Sequence, residues 1–243
     1  RDAGSTVDVL IELDVGMARC GITTDDEVLA LARAVAEGAP RLRLRGLQAY
    51  HGSAQHRRSP QARAEAIAKA AQKAAAARDA LRAAGHACEV VTGAGTGTYR
   101  HEVASGVYTE VQTGSYVLMD ADYFANEPDP ADPPLRPVLT VWCQVISARP
   151  GQCVLDAGLK AFAVDSGPPR PLIEGWHVAS LSDEHLVLRT KPGEPAAPLG
   201  IGDHVRLVPG HCDPTVNLHD HLVACRGDRV EALWRVDARG ALF

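Results

Sequence analysis

The chain has 243 residues, of which 46% are hydrophobic and 23% charged, with a formal net charge of −5 and a pI near 6.1. That is enough apolar sequence for one large domain or two smaller ones, each with a buried core. The acidic balance excludes nucleic acid as the main partner, and no apolar run or leader pattern points to a membrane or to secretion. Six cysteines (20, 88, 143, 153, 212 and 225) are scattered without a CxxC pair, the usage of free thiols in a reducing cytoplasm.

An almost continuously apolar run at residues 7–13 predicts a parallel strand covered on both faces. A helix follows at 25–37, with Thr24 as N-cap, Glu27 completing a capping box and Gly38 as the stop. A second strand is expected at 46–50. Ser59-Pro60 opens a long alanine-rich helix to residue 84, closed by Gly85. A third strand is expected at 87–92, and a shorter unit surrounds EVQTGSYVLMD at 110–120. Strand and helix alternating over short links predict right-handed parallel crossovers, and four such units make half of a TIM-type barrel. The proline-rich stretch 126–137 reads as a connector. Beyond it come short strands punctuated by glycine and proline, read as a small barrel. The predicted fold class is α/β plus all-β: a partial β/α barrel over 1–125 and a β-rich domain over 138–243.

The candidate chemistry lies just past the strands, where a β/α barrel places its active site. DVGMARCG presents Arg19 between Gly16 and Gly21 after the first strand. AYHGSAQH carries Tyr50, His51 and His56 after the second. GAGTGT follows the third and QTGSY the fourth; their small residues let backbone N–H groups approach an anion, and hydroxyls add donors. Two adjacent loops of this kind predict a phosphate cradle, and the absence of a following GKS/T excludes a P-loop. Near the C-terminus, PGHCDPTVNLH sets His211 and Asp213 two apart. In an extended segment these point to one side and can reach one metal ion, with Cys212 turned away. From spacing alone the stretch is equally a polar turn between strands.

DVGMARCG, GLQAYHGSAQH, GAGTGT, TEVQTGSYVLMDADY, LDAGLKA, SDEH and PGHCDPTVNLHD occur in this order, and together they resemble the D-threonine aldolase/D-serine dehydratase-like family of alanine racemase-like, fold-type III pyridoxal-phosphate enzymes. The resemblance runs from about residue 7 to the C-terminus. It implies a pyridoxal-phosphate barrel, a C-terminal β domain, a divalent metal and a homodimer. Members carry a Schiff-base lysine in a segment resembling RPHAKAHK on the first barrel strand. The four lysines here, Lys69, Lys73, Lys160 and Lys191, do not match it. The expectation is therefore the second half of the barrel, with the lysine-bearing half outside the sequence and the chain alone inactive.

By resemblance, Arg19 reaches the cofactor's phenolic oxygen, and Tyr50 and His51 lie beside the pyridine ring. Gly95, Thr96, Gly97, Gly114, Ser115 and Tyr116 line the phosphate, Gln112 faces the ring nitrogen, and His211 and Asp213 hold the metal. The implied reaction is retro-aldol cleavage of a D-β-hydroxy-α-amino acid of the D-threonine type to glycine and an aldehyde, with His56 as the base. The alternative is a D-serine or D-3-hydroxyaspartate dehydratase. Family dehydratases carry His-x-Cys, which suits zinc. The harder His-x-Asp here suits manganese or magnesium and favours the aldolase.

Overall fold

The computed structural model describes residues 4–241. These form two compact units. One holds the residues up to Tyr116 together with Asn126–Pro133, and the other holds Val117–Ala125 with the residues from Pro134 onward. The proline-rich stretch is thus divided between the two rather than standing outside both.

The first unit runs β1 (Val7–Glu12), α1 (Asp25–Glu37), β2 (Leu42–Gln48), α2 (Pro60–Ala83), β3 (Val90–Gly93), α3 (Tyr99–Ala104) and β4 (Glu110–Val111). The strands pair in parallel in the order β1-β2-β3-β4. Parallel pairing puts all four C-terminal strand ends on one side, so the loops that follow them emerge together.

Local sequence explains the helices. Glu27 N–H donates to Thr24 Oγ1 at 3.3 Å, and Thr24 N–H donates to Glu27 Oε2 at 3.0 Å, so the capping box forms at the expected start of α1. Ser59 Oγ accepts from Ala62 N–H at 3.2 Å and Pro60 occupies the first turn of α2. The buried stripe of α2, including Ala66, Ala70, Ala74, Ala77 and Leu81, packs with α1 and β2. Ile11, Leu13, Val28, Leu47 and Val91 complete this core.

Several details differ from the sequence reading, among them the third strand, which is confined to Val90–Gly93 rather than 87–92. β1 is an end strand of the sheet, and its burial is one-sided, with Ile11 4% exposed but Leu10, on the opposite face, 38% exposed, so it is not covered on both faces. β2 begins at Leu42 because Arg43 and Arg45, which break the apolar run, are neutralised in place. Arg43 Nε meets Asp8 Oδ1 at 2.5 Å and Arg45 Nη2 meets Glu89 Oε2 at 2.9 Å. The short helix α3 has too few residues for a periodic signal.

The second unit contains α4 (Ala121–Phe124), β5 (Val141–Arg149), β6 (Gln152–Leu155), β7 (Arg170–Pro171), β8 (Trp176–Leu181), β9 (Leu186–Thr190), β10 (His204–Val208), α5 (Cys212–Val216), β11 (His221–Arg226) and β12 (Arg229–Arg235). Six strands form an antiparallel sheet in the order β7-β10-β5-β6-β9-β8, and β11 and β12 form a separate hairpin. The expected small barrel is therefore a sheet with β7 and β8 as its end strands. Both were missed in the sequence, β7 because prolines surround it and β8 because its residues alternate poorly. Val145, Leu155, Phe162, Leu186, Leu188 and Leu207 make the core. Cys143 packs among them, and burial pushes its thiol up to about 12, which leaves it inert. No disulfide joins the six cysteines. Among the described residues no helix is long and apolar enough to cross a membrane.

Candidate active site

The loop after β1 is closed at its base and shaped at its tip. Asp14 N–H donates to Ile22 O at 2.9 Å and Ile22 N–H to Glu12 O at 3.0 Å, so residues 14–21 bulge out as one loop. Inside it, Asp14 Oδ1 accepts from the amides of Gly16, Met17 and Ala18 at 2.9, 3.0 and 3.0 Å. These bonds hold the Asp14 carboxyl below the usual carboxylate range. Lys73 Nζ, from α2, donates to Asp14 O at 2.6 Å and fixes the same corner. Arg19 stands exposed just past this turn.

The loops after β1 and β2 touch. Gly16 has φ +126°, and a Cβ there would sit 2.8 Å from His51 Nε2, so only glycine lets the first loop close over the imidazole. His51 is 4% exposed, and its Nδ1 lies 3.3 Å from Ser53 Oγ. Burial, helped by the charge of Arg57, depresses its pKa and keeps the ring neutral. Tyr50 precedes it, half-buried, and His56 follows on a turn, also half-buried. Buried Arg63 braces that turn by donating to the carbonyls of Arg57 and Arg58 at 2.8 Å each and of Glu127 at 2.9 Å.

Gln55 ties the second loop to GAGTGT. It is fully buried, and its Nε2 donates to His51 O at 3.2 Å and to Thr98 Oγ1 at 2.7 Å, while its Oε1 accepts from Gly97 N–H at 3.0 Å. A Cβ on Gly95 would fall 2.5 Å from Gln55 Oε1, and one on Gly97 would fall 2.2 Å from Gln55 O. Both glycines are required by this close approach. The Gly97 amide is therefore committed to Gln55, and its place in the loop is structural as well as steric.

The two small-residue loops are joined directly. Tyr116 N–H donates to Thr96 Oγ1 at 3.0 Å, which leaves the Thr96 hydroxyl proton free to donate elsewhere. Gly114 has open space where a Cβ would stand, and Ser115 opens a single 3₁₀ turn beside it. Gln112 donates from Nε2 to Gln48 Oε1 at 2.6 Å and to Thr92 Oγ1 at 3.1 Å, so its amide is oriented by residues of β2 and β3. The structure thus brings Arg19, Tyr50, His51, His56, Gly95, Thr96, Gly97, Gln112, Gly114, Ser115 and Tyr116 into one unit, on loops at one end of one sheet. The open space at Gly114, the tight loop at Gly95 and the Thr96 donor suit a phosphate group.

His211 and Asp213 lie in the other unit. The expected extended geometry is corrected here: His211 is extended (φ −139°, ψ 125°), but Asp213 is in the first turn of α5. Their side chains still converge, with His211 Nε2 3.7 Å from Asp213 Oδ2. Cys212 is fully buried, yet it is not turned wholly away, since its Sγ lies 3.3 Å from Asp213 Oδ1. The sequence reading missed two supports. Asp120, also buried, accepts from Cys212 N–H at 3.0 Å and from Tyr123 N–H at 2.9 Å, which fixes the start of α5. Asp165 Oδ2 holds His211 Nδ1 at 2.6 Å. Burial alone would lower the His211 pKa, but the Asp165 hydrogen bond and the nearby carboxylates outweigh it and raise it. With Nδ1 bonded to Asp165, Nε2 is the nitrogen turned to Asp213, so one imidazole and one carboxylate point at a shared position, as a divalent cation requires. Among the described residues no three His, Cys, Asp or Glu side chains gather into a group that could hold a metal ion, so the pair by itself is not a complete metal site.

The alanine racemase N-terminal domain matches residues 1–122, and the putative serine dehydratase domain matches 138–225. The chain belongs to the D-threonine aldolase/D-serine dehydratase-like family of alanine racemase-like proteins. It is 48% identical to a D-threonine aldolase from an Arthrobacter species over 98% of this chain and 62% of that protein. A 3-hydroxy-D-aspartate aldolase from Paracoccus denitrificans is 42% identical over the same shares. A D-threo-3-hydroxyaspartate dehydratase from a Delftia species is more distant, at 28% over 88% of this chain and 61% of that protein. The crystal structure of the D-threonine aldolase from Filomicrobium marinum superposes with a TM-score of 0.93 at 42% identity, covering 99% of this chain and 65% of that one. The chain thus spans about 62% of the length of the aldolases it matches.

Proposed function

We propose that the protein is a lyase that uses pyridoxal phosphate and a divalent metal to cleave D-β-hydroxy-α-amino acids, of the D-threonine type, into glycine and an aldehyde. The observation that carries this reading is the His211/Asp213 pair, aimed by Asp165 and ending in a carboxylate rather than a thiolate. The higher identity to aldolases than to the dehydratase supports it.

In this reading Gly95, Thr96, Gly114, Ser115 and the Tyr116 segment hold the cofactor phosphate, with Gly97 keeping the loop in shape. Tyr50 and neutral His51 flank the ring, Arg19 neutralises its phenolic oxygen, and Gln112 faces the ring nitrogen, to which it donates by giving up its bond to Gln48 Oε1. The cofactor, once bound, supplies the sink for the electron pair left at Cα. His211 and Asp213 would hold the divalent metal, with manganese or magnesium preferred, and such an ion would supply Lewis acidity toward the substrate's β-hydroxyl. His56 takes the β-hydroxyl proton on its imidazole. The Cα–Cβ bond then breaks, the β-carbon leaves as the aldehyde carbonyl, and Cα regains a proton to give glycine. None of the four lysines lies on the loops that follow β1, β2, β3 and β4: Lys69 and Lys73 are on α2, while Lys160, which pairs with Glu184 at 2.6 Å, and Lys191, which pairs with Glu194 at 3.5 Å, belong to the second unit. The covalent anchor is accordingly assigned to a family lysine outside these residues, the active assembly to a homodimer and its setting to the cytoplasm.

The test uses the protein in its longest encoded form, loaded with pyridoxal phosphate and manganese. D-Threonine should yield glycine and acetaldehyde in equal amounts. 2-Oxobutanoate and ammonia as the main products would overturn the aldolase in favour of the dehydratase.

A further inference from the structure

Behind the GAGTGT loop lies a buried acid that the proposed reaction does not use. Glu102, on α3, is 1% exposed. Its Oε1 accepts from the Thr98 hydroxyl at 2.8 Å, and its Oε2 is buried with no hydrogen-bond partner. Thr98 Oγ1 in turn accepts from Gln55 Nε2 at 2.7 Å, so its single proton is directed to Glu102. This fixes the amide orientation of Gln55 and turns its Oε1 to Gly97 N–H, at 3.0 Å. The chain of donors runs one way, from Gln55 through Thr98 to Glu102, and its near end shapes the turn that carries Gly95 and Thr96.

The groups around Glu102 do not neutralise it. Burial is the main influence and pushes its carboxyl up to about 7, while the Thr98 hydroxyl and the Glu102 backbone amide oppose. Tyr108, just before β4, has its phenol raised by burial and by the charge of Glu102, and donates to Ala49 O at 3.1 Å. From α2 the buried charge is Arg63, which is committed to the carbonyls of Arg57, Arg58 and Glu127. On α3 itself Arg100 is turned to Asp132 at 3.6 Å.

We propose that Glu102 is a positioning residue for the phosphate-binding loop: it acts through Thr98 and Gln55 to set the direction of the loop amides, and it takes up a proton from solvent when a dianion binds there. The inference rests on reading residues 94–98 as the phosphate cradle. Neutral Glu102 still accepts from Thr98 through its carbonyl oxygen, so the relay survives protonation. A bound dianion and an ionised buried carboxylate repel each other, and protonation removes that repulsion.

Sulfate, a dianion throughout pH 6–8.5, is the probe, with pyridoxal phosphate as the second ligand. Amide shifts of Gly95, Thr96 and Gly97 in the 243-residue chain report the site. Wild type should bind sulfate about three- to tenfold more weakly at pH 8.5 than at pH 6. Glu102→Gln, which keeps the acceptor and removes the charge, should bind equally at both. Thr98→Val should speed Gly97 amide exchange and weaken both ligands, while Thr98→Ser should restore both properties. An identical pH slope in Glu102→Gln, or unchanged Gly97 exchange and affinity in Thr98→Val, would overturn the role of Glu102. If neither ligand perturbs residues 94–98 in wild type, the cradle reading itself fails. Binding without pH dependence sinks the coupling alone. Should Thr98→Val not fold, the near-isosteric Glu102→Gln still decides the question.

Discussion

Glu102→Gln should flatten the pH dependence of stability in the first unit. The wild-type carboxyl is raised from 4.5 to about 7 in the fold, chiefly by burial. Between those values the folded state binds more protons than the unfolded state, so stability falls as pH rises through this window. A shift of this size corresponds to about 3 kcal/mol at pH 8 relative to pH 4.5. Glutamine reproduces the neutral form: its carbonyl accepts from Thr98, and its NH₂ occupies the site of Oε2, where protonated glutamate already places an unpaired donor. The variant should match wild type near pH 5 and exceed it by about 2–3 kcal/mol at pH 8. All three tryptophans, Trp142, Trp176 and Trp234, lie in the second unit, so their fluorescence reads that unit. Ellipticity at 222 nm reads mainly α2, the longest helix, in the first. Urea unfolding at pH 5 and pH 8, followed by both signals, gives the comparison. A variant destabilised equally at both pH values would show that the charge of Glu102 is not the cost, and the reasoning from burial would fail.

Treatment of the chain with pyridoxal phosphate and borohydride should give no stoichiometric adduct at any one of Lys69, Lys73, Lys160 or Lys191, checked by peptide mass mapping; a single modified site at Lys160 would contradict the assignment of the lysines. Asp165→Asn should lower manganese affinity about 10- to 100-fold by loosening His211, measured by electron paramagnetic resonance of free manganese. Asp213→Ala should abolish metal-dependent cleavage in the longest encoded form while leaving cofactor absorbance in place, and Asp213→Cys should shift preference from manganese to zinc. Gly16→Ala should cost about 1–3 kcal/mol, because it combines φ +126° with a 2.8 Å approach to His51 Nε2, and thermal melting reads it.

What the sequence shows and what it hides follow one physical division. Capping boxes, proline starts and apolar periodicity are local, so α1 and the start of α2 were legible to the residue. β2 was misplaced because the partners that make Arg43 and Arg45 tolerable, Asp8 and Glu89, are distant in sequence. The loops after the strands could be read because glycines, histidines and hydroxyls mark them in chain order. The residues that aim those loops could not: Gln55 in a turn, Glu102 on a six-residue helix and Asp165 in a glycine-proline loop look like ordinary polar positions until the fold places them. An unpartnered buried carboxyl oxygen is costly in any fold. Its retention behind the loop that two glycines open for an anion is therefore better explained by a task at that loop than by stability, and the pH slopes of Glu102→Gln separate the two.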